Sequence, residues 1–377
     1  MDQYTDLSNA IVGEELTPLQ FDRTEYTPFE EFISTITSRL SDTNAKGERR
    51  KIKVSNKALS VNGRVVNDSM ERYLTSKHLS SSALKEALKT PLHFFYYQQK
   101  TFKPKDTSHF ELGTFIHSAF VEPKKFDRVA VIPKATQNTN DGLCKAIEFY
   151  WQLSGLVPDS ILSEMKQQAL RDKLRELKDS CTYSVIDESD ALIVEILKRA
   201  YKSYGGGLLP LLLQNAKAEV SMYGVDQFSG QKVKSRPDAM LLSEDIGYNI
   251  IVSIKSTSAT TLEAFTADAA KYRYELSEGM YLDVASQITG RDFTATIMIM
   301  AQTVIPFQIA VFYWNAEDLQ IGKYKYRQAI DTVTECSVKG SYRGFEVNAE
   351  DGAHGIIQMK MPNWIKRELA PKYIEEN

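Results

Sequence analysis

From residue 216 onward the hydrophobic pattern of this chain changes period, and that change limits its folds more than any other feature. "KAEVSMYGVD" and "QKVKSRPDAMLLS" alternate apolar and polar residues around a turn at Ser229-Gly230, which predicts a β-hairpin. "NIIVSIKST" follows as a third strand, more continuously apolar and therefore predicted to be central. "TTLEAFTADAAKYRYELSEGMYLDVASQI" reads as a long helix broken near Lys271. "FTATIMIMAQT" and "FQIAVFYWN" add two strands, and "AEDLQIGKYKYRQAIDTVTEC" a closing helix. Helix, three strands, helix, two strands, helix predicts an α/β (α+β) fold: a mixed central β-sheet flanked by helices.

Upstream of the sheet the pattern is helical. Ser80 or Ser81 can cap a first helix in "KHLSSSALKEALKTPLHFFYYQQK", and Thr90 with Pro91 starts a second. In "HFELGTFIHSAFVEPKKF", Leu112, Ile116, Ala119 and Phe120 form an apolar stripe, while Gly113 and His117 sit one turn apart on another face. Residues 1–75 differ from the rest and are expected to form an N-terminal arm, partly flexible or folded as a hairpin about Asn62-Gly63. Arg49, Arg50 and Lys51, in its basic run, are candidate phosphate contacts. The expected division is the arm, then one domain over 76–377. That domain has a helical part (76–215), a sheet core (216–336) and a C-terminal tail (337–377).

Composition narrows the function classes. With 377 residues and a net charge of −3, no global basic excess advertises nucleic acid, so a DNA-binding surface has to be a local patch. Cys144, Cys181 and Cys336 have neither CxxC nor Cys/His spacing, which argues against a zinc module or a disulfide framework and for a reducing cytoplasm. No segment has a signal-peptide layout and no apolar run is long enough to span a bilayer, so no membrane role is expected.

Four residues converge on the predicted sheet: Asp238 after Pro237, Lys255 on the next strand, Glu219 on the first hairpin strand, and His117 upstream. Phosphodiester hydrolysis wants such a set. Hard oxygen ligands hold a divalent cation, and an amine beside it stabilises charge building on the phosphate. Each residue alone has an ordinary structural reading; the conjunction carries the inference.

The same residues carry a resemblance. "LSSSALKEALKTPLHFFYYQ", "LGTFIHSAFVEPKKF", "AEVSMYGVDQFSGQKVKSRPDAMLL", "IVSIKSTSATTLEAFTADAAKYRYELSEGMYLD" and "MKMPNWIKREL" occur in order. Together they resemble the exonuclease VIII (RecE-like) branch of the PD-(D/E)XK nucleases. The resemblance implies a restriction-endonuclease-like core with an added N-terminal helical region. Lys255, Asp238, Glu219 and His117 would be catalytic; Asp238, Glu219, His117 and the Ile254 carbonyl would be metal ligands; Arg236 and Tyr281 would support them. It further implies Mg²⁺ (or Mn²⁺) and 5′→3′ digestion of linear double-stranded DNA. A ring-shaped homo-oligomer, a single-strand annealing partner and a phage or bacterial recombination role in the bacterial cytoplasm complete the expectation.

Two positions depart from that pattern. The acid of (D/E)xK is Ser253, so the motif reads Ser253-Ile254-Lys255, and the helix glutamine expected before Tyr281 is Ser277. A serine hydroxyl is a weak ligand for a hard cation. Either an acid on the following helix, Glu263 or Asp268, fills the vacancy, or Asp238, Glu219, His117 and the Ile254 carbonyl hold a metal unaided. The alternative is a catalytically inactive pseudonuclease that serves as a DNA-binding or protein-interaction module. A Ser253–Lys255 nucleophile pair is set aside, since strand placement supplies neither a depressed amine pKa nor an oxyanion hole.

Overall fold

Alternation along residues 249–257 decides what each face of the sheet receives. Ile250, Val252 and Ile254 join a core with Ile116, Phe120, Val194 and Leu197. Ile251 points the other way, into a core with Leu276, Met280 and Tyr326. Helices therefore cover both faces. The protein's structure, a computed structural model, describes residues 25–99, 108–135, 137–155 and 160–361.

Helix α1 (Phe29–Ser41) buries Phe32, Ile36 and Leu40, spaced four apart on one face. Strand β1 (Gly63–Val66) precedes helix α2 (Ser81–Ala87), whose first turn is capped by the Ser80 hydroxyl accepting from the Ala83 N–H. Helix α3 (Ser108–Val121) carries His117. Strands β2 (Ala130–Ile132) and β3 (Val185–Asp187) pair in parallel and bracket two helices, Asn140–Leu153 and Gln167–Ser180. Leu143, Ile147, Leu170 and Leu174 give that insert a core of its own.

Beyond residue 216 come β4 (Lys217–Ala218), β5 (Ser221–Val225), β6 (Lys232–Ser235), β7 (Ala239–Leu241) and β8 (Asn249–Thr257). Helices α4 (Leu262–Lys271) and α5 (Tyr274–Thr289) lead to β9 (Phe293–Gln302), β10 (Ile309–Tyr313) and helix α6 (Ala316–Lys339). The main sheet has the order β10-β9-β8-β7-β4, with β8 in the middle, parallel to β9 and antiparallel to β7. A smaller sheet, β1-β5-β6, stands beside it. The mixed sheet, the central strand and the helix break near Lys271 agree with the sequence reading. Among the described residues no helix is long and apolar enough to cross a membrane.

Three expectations need correction. No hairpin forms about Asn62-Gly63, because β1 finds its partner in β5, with Gly63 opposite Gly224 and Val66 opposite Ser221. Residues 29–66 are part of the body rather than an arm: α1 packs Phe32 against Tyr248 and Tyr313, and Leu59 and Val65 are buried. "KAEVSMYGVD" is not one strand. It breaks at Glu219, whose φ of 52° is left-handed, and its two pieces belong to different sheets. The "MKMPNWIKREL" segment lies outside the described residues from position 362 on, as do residues 1–24 of the expected arm.

Candidate active site

The break at Glu219 builds the site. An extended backbone would carry this side chain along the strand, whereas the left-handed turn re-aims it at the crossing of the two sheets. The Glu219 N–H donates to the Asp238 carbonyl at 3.0 Å, which fixes the two acids side by side. Burial pushes the Glu219 carboxyl above its ordinary range, against the Arg236 guanidinium that donates to it at 2.8 Å. Arg236 is itself buried and also holds the Ser221 hydroxyl and Asp68, so it braces the acid from behind.

Asp238 follows Pro237 and immediately precedes β7. Its Oδ2 accepts the Ile254 N–H at 2.5 Å and lies 3.8 Å from the Lys255 Nζ; its Oδ1 lies 3.1 Å from the His117 Nδ1. Burial opposes the charged form of Asp238, but His117 and Lys255 outweigh it and hold the carboxyl down to about 2. The partners respond in kind. Burial alone would lower the His117 and Lys255 pKa values, yet Asp238 raises both above their ordinary range.

Helix α3 reaches this point because Gly113 lets it close on β8. A Cβ at that position would sit 2.9 Å from the Ser256 hydroxyl. Each of His117, Glu219 and Asp238 then offers one ligand atom, all within 4.8 Å of one another. One nitrogen and two carboxylates, one carboxylate firmly ionised, is a donor set that suits a divalent cation.

The vacancy at position 253 is met from an unexpected direction. Ser253 is fully buried, and its hydroxyl donates to Glu278 Oε1 at 2.6 Å; the Thr296 hydroxyl donates to Glu278 Oε2 at 2.7 Å. Burial raises the Glu278 pKa, and the Lys255 charge opposes that rise. Neither acid expected to fill the gap does so: Glu263 is exposed on α4, and Asp268, half-buried, has no ion pair among the described residues. The helix that carries Glu278 is pressed onto α6 at Gly322, where a Cβ would fall 2.0 Å from the Glu275 carbonyl oxygen. Ser277 is buried beside it, and Tyr281 lies against Ser81 of α2.

Sequence reasoning missed Glu278 and Asp68. One signal was available: Tyr274, Glu278 and Tyr281 recur at i, i+4 and i+7, a single helix face. Of the three basic candidates for DNA contact, Arg49 is corrected. It is buried and paired with Asp245 at 2.7 Å, and donates to the carbonyls of Leu211 and Leu212, which leaves only Arg50 and Lys51 exposed. A long guanidinium that can satisfy several buried acceptors at once serves better as an internal brace than as a surface contact.

Residues 80–342 match the profile of a family described as a PDDEXK-like domain of unknown function (DUF3799). The chain belongs to this PDDEXK-like family. The matched stretch includes His117, Glu219, Asp238, Lys255 and Glu278, while Asp68, which pairs with Arg236, lies upstream of it. The fold agrees with the assignment, since a mixed central sheet flanked by helices is the restriction-endonuclease-like arrangement. Within the PDDEXK-like pattern this chain keeps Pro237-Asp238 and Lys255 and departs at Ser253.

Among solved structures, a protein from Eubacterium rectale described provisionally as an exonuclease aligns with a TM-score of 0.42 at 14% identity, covering 81% of this chain and 99% of that one. The protein SSO0001 aligns with a TM-score of 0.21 at 14% identity, covering 59% of this chain and 86% of that one. No curated protein matches.

Proposed function

We propose that this PDDEXK-like protein is a metal-dependent deoxyribonuclease in which Glu278, from a helix, takes over from the strand acid missing at position 253. The observation that carries the reading is the 2.6 Å contact from Ser253 to the Glu278 carboxyl on the face of β8 that also bears Lys255. Asp238, Glu219 and His117 would hold the cation, with the Ile254 carbonyl as a further ligand; once bound, the metal, Mg²⁺ or Mn²⁺, supplies Lewis acidity toward a phosphoryl group. Lys255, fully protonated beside Asp238, sets a positive charge where negative charge builds on the phosphate. Glu278, when ionised, accepts the proton of the attacking water as the water oxygen bonds to phosphorus and the bond to the leaving strand's oxygen breaks, that oxygen taking a proton from solvent.

The resemblance to the RecE-like exonucleases supports the finer reading: linear double-stranded DNA digested 5′→3′, a ring of like subunits, an annealing partner, and recombination in a phage-infected or bacterial cell. A second reading has its own observation. Glu278 is fully buried, and that burial outweighs the Lys255 charge and the two hydroxyl donors that favour its ionised form, which supports a neutral acid and hence an inactive, DNA-binding relative. Incubation with linear duplex DNA and Mg²⁺ or Mn²⁺ decides between them. Wild-type cleavage abolished by Asp238→Ala supports the nuclease; DNA binding without cleavage supports the second reading.

A further inference from the structure

Lys85, on α2, belongs to no step described so far. Its Nζ stands 5.4 Å from the centre of the Tyr274 ring, and the Lys255 Nζ stands 5.5 Å from the same centre. Arg273 immediately precedes Tyr274, at the left-handed turn between α4 and α5, with φ 52°. Two amines thus face one aromatic ring, and the Arg273 charge acts on the Lys85 amine from the adjoining turn. The acids within reach are already engaged: Glu275 accepts from Lys325 at 2.7 Å, and Glu278 accepts from Ser253 and Thr296. Among the described residues the side chains of Lys85 and Arg273 have no ion-pair or hydrogen-bond partner.

Like charges brought together in a half-buried place repel one another, and such a cost persists when a ligand repays it. The non-glycine residue held at positive φ, Arg273, is a second such cost. The charge that would settle the cluster is an anion bridging Lys85 and Arg273 beside the amine of the catalytic strand. We propose that Lys85 and Arg273 form a seat for a backbone phosphate of the nucleic-acid strand, next to the phosphate held at Lys255. A strand delivers such anions in series, roughly one per 3.4 Å of helix axis. Burial and then the Lys255 charge pull the Lys85 amine down to about 8, an environment that a bound phosphate would reverse. The seat rests on the reading that this site handles a nucleic-acid backbone; it does not require that the bond be cut.

The test is fluorescence anisotropy of a labelled DNA duplex binding the full-length protein in EDTA, repeated over a salt series, with inorganic phosphate as competitor. Lys85→Ala and Arg273→Ala are each expected to weaken binding severalfold and to flatten the salt dependence by about one counterion, while Lys85→Arg keeps the wild-type slope. Arg273→Gly separates binding from folding. Glycine relieves the left-handed backbone, so its melting temperature is expected to be no lower than wild type while its DNA affinity falls. Unchanged slopes in both alanine variants, or an Arg273→Gly protein that loses stability and affinity together, overturn the proposal. Displacement of DNA by inorganic phosphate at matched ionic strength in wild type but not in Lys85→Ala supports the seat; equal displacement in both overturns it. Wild-type protein that binds DNA through these residues yet never cleaves it sinks the nuclease reading and leaves the seat standing. Wild-type protein that does not bind DNA sinks the seat.

Discussion

The Ser253 hydroxyl donates to Glu278 across 2.6 Å, so the strand position that lacks a carboxylate is in contact with one supplied by a helix. A reciprocal exchange tests whether the two positions share one role. Glu278→Ser should abolish cleavage of linear duplex DNA, and Ser253→Asp/Glu278→Ser should recover a measurable part of it. Ser253→Asp alone should lower the melting temperature, because two buried acids then share one site and one must stay protonated. Recovery no better than in Glu278→Ser would show that the two positions are not interchangeable.

Glu278 also links stability to pH. Its folded-state pKa lies above the ordinary value of 4.5 because it is buried, so the folded protein holds a proton that the unfolded chain releases. The stability tied to that proton is complete below 4.5 and is lost as pH rises through the folded value. Glu278→Gln should therefore be more stable than wild type at pH 8, with a difference that shrinks toward pH 4.5, and should lose cleavage. Urea denaturation at several pH values reads the first effect; a gel reads the second.

Asp238 has the opposite sign. Its pKa falls from 3.8 to about 2 on folding, so its stabilisation is full above 3.8 and disappears as pH drops to about 2. The shift corresponds to roughly 2 kcal/mol at neutral pH. Asp238→Asn should cost at least about that much at pH 7, and wild type and variant should converge as pH falls toward 2 in acid-denaturation curves.

Arg49 should reveal itself in melting, not in DNA binding. Its ion pair with Asp245 is almost completely shielded from solvent, with side-chain exposures of 3% and 5%. Arg49→Ala leaves a buried carboxylate without its partner and should cost about 3–5 kcal/mol by chemical denaturation. Arg50→Ala and Lys51→Ala, on exposed side chains, should each stay within about 0.5 kcal/mol of wild type.

Much of this architecture was legible in the residues because period and length are local properties. The apolar run at 249–257 identified the central strand, and the turn at Ser229-Gly230 marked the β5–β6 hairpin. His117 and Asp238 emerged as a pair only through spacing and resemblance, yet they do meet at 3.1 Å. Other features depend on three-dimensional neighbours. Glu278 carries no signal in the sequence that points to Ser253; only the crossing of α5 over β8 turns it toward that residue. Arg49 sat in a basic run that composition reads as solvated, whereas its fate was set by acceptors at 211, 212 and 245, remote in the chain. A left-handed glutamate at 219 leaves no compositional trace, since glycine, not glutamate, is the residue expected there.

That turn has a consequence for how the site is sized. Since the chain leaves one sheet and enters the other at Glu219, and the Glu219 N–H is tied to the Asp238 carbonyl, the gap between the two acids is gauged by the main chain. Swapping one cation for a larger one would therefore tax the angle between the sheets, and the member of the trio free to yield is His117, carried on a separate helix.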